Sequence, residues 1–164
     1  MIKNSLRLAA AVLLATGFAF GAYAQYGSTP TMPAAPAAPG MAMPSMATSF
    51  HASLSGAQEV PPVMGAAKGS ADFKLDSKTK TLTWTVTYSG LTGDAVAAHI
   101  HGPAAMGANA GVEVPLTVSA SPMTGSAVLT DAQISDLSSG KTYINIHTAA
   151  NKAGELRGQI APKM

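Results

Sequence analysis

The chain of 164 residues has no cysteine, and that absence removes several kinds of chemistry at once. It excludes disulfide staples, a thiolate nucleophile, a lipid-modified cysteine and any cysteine-ligated zinc. Charge is scarce at 11% of residues, and aromatic side chains at 5%, with one tryptophan. No Ser-His-Asp order and no glycine-rich phosphate loop is evident, so covalent catalysis has no support. Ten Lys and Arg face eight Asp and Glu, yet Lys3 and Arg7 sit in the first few residues. Without them the chain balances at eight against eight. No basic stripe is left to neutralise phosphates, which argues against a nucleic-acid partner. No polybasic run points to anionic lipid either.

What is present begins with a leader pattern. Lys3 and Arg7 precede an apolar run from Leu8 to Phe20, and Ala22-Tyr23-Ala24 has the form of a signal-peptidase site before Gln25. Residues 1–24 are therefore read as a signal peptide; the apolar run is too short for a stable membrane span. The expected product is periplasmic or secreted, with no stable membrane association after cleavage. Residues 25–48 follow as a Pro/Ala/Met-rich tether, with Pro30, Pro33, Pro36, Pro39 and Pro44 among small residues. Its Met32, Met41, Met43 and Met46 offer soft thioethers that suit Cu(I); the plainer reading is a compositionally biased linker.

From residue 49 to 164 the pattern is that of one β domain. Phe50, Ala52 and Leu54 alternate with His51, Ser53 and Ser55, and Ala71, Phe73 and Leu75 alternate with Ser70, Asp72 and Lys74. Leu82, Trp84, Val86 and Tyr88 alternate with Thr81, Thr83, Thr85 and Thr87, which places Trp84 at the expected centre of the core. Residues 76–80 supply a hairpin turn, and further strands are expected at 96–101, 112–117, 125–129, 142–148 and 155–161. The last two are joined by a short connection at 149–154. Thr130 with Gln133 has capping-box spacing, Gly140 can close the helix, and Ile134 and Leu137 give it an apolar face. The fold class is all-β: a Greek-key β-sandwich of about eight antiparallel strands with one short helix.

The chain holds four histidines, His51, His99, His101 and His147. In strand phase, Ala97, His99 and His101 share a face opposite Val96, Ala98 and Ile100. His147 shares one with Tyr143 and Asn145, opposite Ile144 and Ile146. His51 lies opposite Phe50, Ala52 and Leu54, so all four project away from the most aliphatic side. Side chains two apart on a strand have Cβ atoms roughly 6–7 Å apart. Metal–nitrogen bonds of about 2.0–2.1 Å then let both reach one ion. The alternative is a set of separate histidines on the solvent face. Glu59, Glu155 and Arg157 are the notable charges. Glu155 and Arg157 share a strand face, and a Glu59–Arg157 ion pair locking the first strand to the last is the preferred reading. The functional alternative has Arg157 steering a small anion toward a metal. The loop at 102–111 is expected to border the site and govern access.

Several segments in series carry a resemblance: Gly56-Ala57-Gln58-Glu59-Val60-Pro61-Pro62, Tyr88-Ser89-Gly90-Leu91-Thr92-Gly93, and Ala98-His99-Ile100-His101-Gly102-Pro103-Ala104. Tyr143-Ile144-Asn145-Ile146-His147-Thr148-Ala149-Ala150-Asn151 and Gly154-Glu155-Leu156-Arg157-Gly158-Gln159-Ile160 complete it. Together they resemble the CHRD (chordin-type) domain from about residue 50 to 161. The resemblance implies a Greek-key sandwich and, for bacterial members, a copper site of His99, His101 and His147. It also invites comparison with copper superoxide dismutases, which place an H-x-H on a sandwich strand. His51 falls where the family varies, so its place as a ligand rests on strand phase alone; Met106, Glu113 or water are alternative fourth ligands. Imidazoles suit copper and zinc alike. Copper is preferred because structural zinc sites usually include cysteine and the same nitrogens bind Cu(II) more tightly. The expected function is an exported copper-binding protein with copper-dependent superoxide dismutase-like activity. A non-enzymatic copper-binding or copper-tolerance protein and a metal-free structural or interaction module are the alternatives.

Overall fold

The computed structural model of the chain describes residues 48–163. The expected signal peptide and all but the last residue of the expected tether lie outside the described residues. Period-two alternation produces the strands where β-branched and aromatic residues supply one buried face. These are β1 (Ser49–Ser55), β2 (Lys68–Asp76), β3 (Thr81–Ser89), β4 (Ala95–His101), β5 (Val112–Leu116), β6 (Met123–Val128), β7 (Thr142–Thr148) and β8 (Leu156–Pro162). The helix α1 (Asp131–Ser138) sits between β6 and β7. Its capping box forms as expected: Gln133 N donates to Thr130 Oγ1 at 3.3 Å, and Thr130 N donates to Gln133 Oε1 at 2.8 Å. Gly140, at φ +66°, follows its last turn. Among the described residues, no helix is long and apolar enough to cross a membrane.

The all-β architecture is as expected, with every strand pair antiparallel. Its two layers are halves of one hydrogen-bonded sheet, in the order β5-β4-β7-β8-β1-β2-β3-β6. The sheet folds over a shared core. Leu82 of β3, Ile100 of β4, Val114 of β5 and Leu137 of α1 line one interior cavity. The seam between the halves is β8–β1, where pairing is interrupted between His51 and Ser55. Gly158 lies in that gap, where an added Cβ would stand 2.5 Å from the Ser53 carbonyl oxygen, so the strands approach closely only because residue 158 has no side chain.

The expected core face is observed. Phe50, Ala71, Val86, Ile144, Ile146, Leu156 and Ile160 are fully buried, and Trp84 is buried against Gly125 of the neighbouring strand. One residue departs from the phase expected for β4. Val96 is exposed rather than aligned with Ala98 and Ile100, because the β4–β7 register shifts between Ala95 and Ala97.

Candidate metal centre

β4 and β7 lie side by side, with Ala97 opposite His147, His99 opposite Asn145 and His101 opposite Tyr143. β8 continues the rows on the far side of β7, placing Arg157 opposite Asn145 and Gln159 opposite Tyr143. The aliphatic residues Ile100, Ile144 and Ile146 take the core face, so the polar ones share the outer face. Small Ala97 beside His147 leaves space for the imidazoles to lean together. β7 is nevertheless buried along its whole length. The loop at 102–111 and the turn at 149–155 cover the polar side, and their backbone carbonyls meet His101 and His147.

The structure brings three of the four histidines together. His99, His101 and His147 each present one ring nitrogen within 4.8 Å of the others. His99 Nδ1 is 3.1 Å from His147 Nε2, close to the separation of about 3.3 Å that tetrahedral coordination at 2.0–2.1 Å would require. Two nitrogens on one ion can be at most about 4 Å apart, so a single ion held by all three would draw the rings slightly closer together. His147 Nδ1 donates to the Lys152 carbonyl at 2.9 Å, which fixes the tautomer and leaves Nε2 with its lone pair. His101 Nδ1 likewise meets the Ala110 carbonyl at 3.0 Å, while its Nε2 lies 3.0 Å from the Asn145 side-chain amide. The Asn145 atom that faces Nε2 is the amide oxygen, and the Asn145 Nδ2 donates to the Ala153 carbonyl at 3.5 Å. A metal at Nε2 would replace the Asn145 contact.

Burial prepares these rings as ligands. It lowers the pKa of His99, and the nearby His147 and His101 rings lower it further. Burial also lowers that of His147; the Lys152 carbonyl offsets part of this and His101 adds to it. Neutral imidazole is the metal-binding form, so disfavouring the proton removes a competitor for these nitrogens at pH values where a solvated ring would be charged.

His51 is not part of this set. Its Nδ1 is 3.0 Å from Asp72 Oδ1, and Lys163 Nζ lies 2.7 Å from the same oxygen. Strand order explains the separation: β1 is two strand steps from β7 and three from β4, or about 10 and 14 Å at the usual spacing of about 4.8 Å. Shared sidedness in a sheet does not imply proximity. Of the other two candidate protein ligands, Glu113 also lies outside the three-histidine set. Met106 is largely exposed on its loop, and Glu113 lines the interior cavity beside Gln133 and Leu137.

The expected Glu59–Arg157 ion pair does not form at contact distance. Arg157 instead donates from Nη1 to Asn109 Oδ1 at 2.8 Å and from Nη2 to the Ala108 carbonyl at 2.6 Å, and its guanidinium lies over the Tyr143 ring. At 2% exposure the group has no open face with which to dock an anion. Glu59 is buried, with Oε1 unpartnered among protein atoms and placed where a side chain on Gly154 would collide with it. Burial pushes its carboxyl up to about 7, with Arg157 and the Val60 amide pulling partly the other way. Glu155 has the opposite fate. Burial alone would raise it, but bonds from Thr148 Oγ1 (2.6 Å), Thr92 Oγ1 (2.7 Å), Thr92 N (2.8 Å) and Asn151 Nδ2 (3.0 Å) hold it below the usual range. Glu155 thus ties down the turn whose Lys152 carbonyl orients His147.

Strand phase placed Tyr143 and Asn145 on the histidine face without assigning them a task. The structure shows Tyr143 stacked on His101 at 4.9 Å and 3° between planes, and Asn145 bonded to it. The carbonyls of Ala110 and Lys152 have no sequence signature, since any residue type supplies one. No curated protein and no solved structure matches the chain. The sequence pattern of the CHRD domain matches residues 50–160, a span that carries all three clustered histidines and the residues that hold them. The chain therefore belongs to the CHRD domain family.

Proposed function

We propose that His99, His101 and His147 bind a copper ion and that the exported protein uses it in superoxide dismutase-like chemistry. The observation that carries this reading is the convergence of three ring nitrogens, at least two of them kept neutral by burial, with no carboxylate or thiolate in the set. An all-imidazole donor set in a chain without cysteine suits copper better than structural zinc. Bound copper would supply one-electron exchange between Cu(II) and Cu(I). The residues would hold the ion: Lys152 and Ala110 fix the tautomers of His147 and His101, and Glu155 steadies the turn. Three protein ligands leave room for an exchangeable position, which dismutation requires.

A copper-holding protein without turnover is the second reading. It is favoured by the burial of His101 and His147, each 9% exposed, which narrows access to the side of His99. Protein recovered from periplasmic expression is expected to contain about one copper per chain and to give a Cu(II) EPR signal that His99→Ala or His147→Ala abolishes. His51→Ala is expected to leave that signal unchanged. Copper-loaded protein that accelerates superoxide decay beyond the same amount of free copper supports the enzyme. A copper-loaded protein that does not leaves the second reading, and protein that takes up no copper leaves the metal-free interaction module.

A further inference from the structure

Arg157 is the one arginine among the described residues, and it is buried next to the histidine cluster without a carboxylate at contact distance. Burying a guanidinium is costly unless its donors and its charge are satisfied. Here both side-chain hydrogen bonds go to one place, the Ala108 carbonyl and Asn109 Oδ1 of the loop at 102–111. The charge rests 3.5 Å above the centre of the Tyr143 ring. Both attachments end on the same imidazole. Tyr143 is the ring stacked flat on His101, so guanidinium, phenol and imidazole form a three-layer stack. The residue after Asn109 is Ala110, whose carbonyl meets His101 Nδ1, and whose N–H donates to the Tyr143 hydroxyl at 3.2 Å. Asn109 Nδ2 also donates to the Val60 carbonyl at 3.1 Å, which anchors the loop from outside.

We infer that Arg157 is a positioning residue for His101, acting through Tyr143 and through the loop at 102–111, and that its fixed charge shifts a copper ion held at His101 toward Cu(I). The second half rests on the copper reading; the first does not. A guanidinium remains charged and delivers its donors as a rigid fork, so it locks the loop and the stack in one geometry. A permanent positive charge in a dry surrounding penalises Cu(II) more than Cu(I), since the oxidised ion carries one more charge. Lysine would keep the charge and lose the fork. A neutral side chain would lose both.

The test uses the mature exported chain and separates the two halves. In metal-free protein, ring-nitrogen NMR of His101 reports its tautomer and the Ala110 hydrogen bond. Wild type is expected to show a single Nδ1–H tautomer with a slowly exchanging proton. Arg157→Lys and Asn109→Ala are each expected to speed that exchange at least tenfold while circular dichroism stays native. An unchanged His101 signal in both folded variants overturns the positioning role. In copper-loaded protein, Arg157→Met is expected to favour Cu(II) over Cu(I) by about tenfold, a fall of about 59 mV for one electron. Arg157→Lys is expected to restore most of that potential. An unchanged potential in Arg157→Met overturns the charge effect; where that variant does not fold, a Lys variant whose potential falls by as much as 59 mV does the same. Wild type that binds no copper removes the copper reading and the charge effect together, and the metal-free NMR still decides the positioning role.

Discussion

Replacing Glu59 by Gln should make the domain more stable at alkaline than at acidic pH relative to the parent. Its carboxyl is buried, and one oxygen faces Gly154 with no hydrogen-bond partner. Its pKa rises from 4.5 to about 7. At about 1.4 kcal/mol per tenfold change in proton affinity, the ionised form costs the fold about 3 kcal/mol. The sign follows from proton uptake. Below pH 4.5 both folded and unfolded chains are protonated at Glu59, and the group carries no pH dependence. Between 4.5 and 7 the unfolded chain ionises first, so stability falls as pH rises, and above 7 the full cost is present. A carboxamide cannot ionise, so the Glu59→Gln variant lacks this slope. Urea unfolding of both proteins at intervals from pH 4 to 8, in metal-free buffer, gives the difference directly. The variant should gain about 3 kcal/mol on the parent across that range, with the change centred between pH 4.5 and 7. Contributions from other groups, including the depressed histidines, cancel in the comparison. Stability curves that run parallel through this window would refute the buried, unpaired state of Glu59.

The depressed pKa values of His99 and His147 predict that NMR titration of the metal-free protein gives both imidazoles midpoints below 6.5, the ordinary value; a midpoint at or above it would indicate solvated rings. The same depression means the metal-free fold loses stability as pH drops through 6.5, because the unfolded chain gains protons first. Glu155→Gln should cost about 3 kcal/mol, by loss of a buried carboxylate with four donors, and should speed amide exchange at Gly154, whose N–H donates to Asn151 within the turn. Gly158→Ala should destabilise by about 1–3 kcal/mol in denaturant unfolding, because the new methyl meets the Ser53 carbonyl; a neutral result would show that the β8–β1 seam opens without cost.

Strand phase was the part of the fold legible in the sequence. Thr81 to Tyr88 alternates so regularly that its buried face, Leu82, Trp84 and Val86, needs no tertiary information, and Thr130 with Gln133 marks the helix start by local chemistry alone. Strand order is different in kind. It depends on which edges find each other across the whole chain, and it is strand order that separates His51 from the other three. All four histidines pass the test of sidedness, and only those on adjacent β4 and β7 pass the test of distance.

The same distinction governs Arg157. Its rarity made it conspicuous, and Glu59 was the obvious partner by charge, yet the fork closes on a carbonyl and an amide of the loop at 102–111. Charge pairing is legible in composition, whereas a backbone carbonyl offers the same acceptor at every position and becomes specific only when a loop is folded. The supports of His101 and His147 are both of this second kind, the carbonyls of Ala110 and Lys152. Substituting Ala110 or Lys152 would leave those carbonyls in place. Mutational scanning of side chains would therefore find the three histidines, and it would reach their supports only through the residues that shape the loops, Arg157 for one and Glu155 for the other.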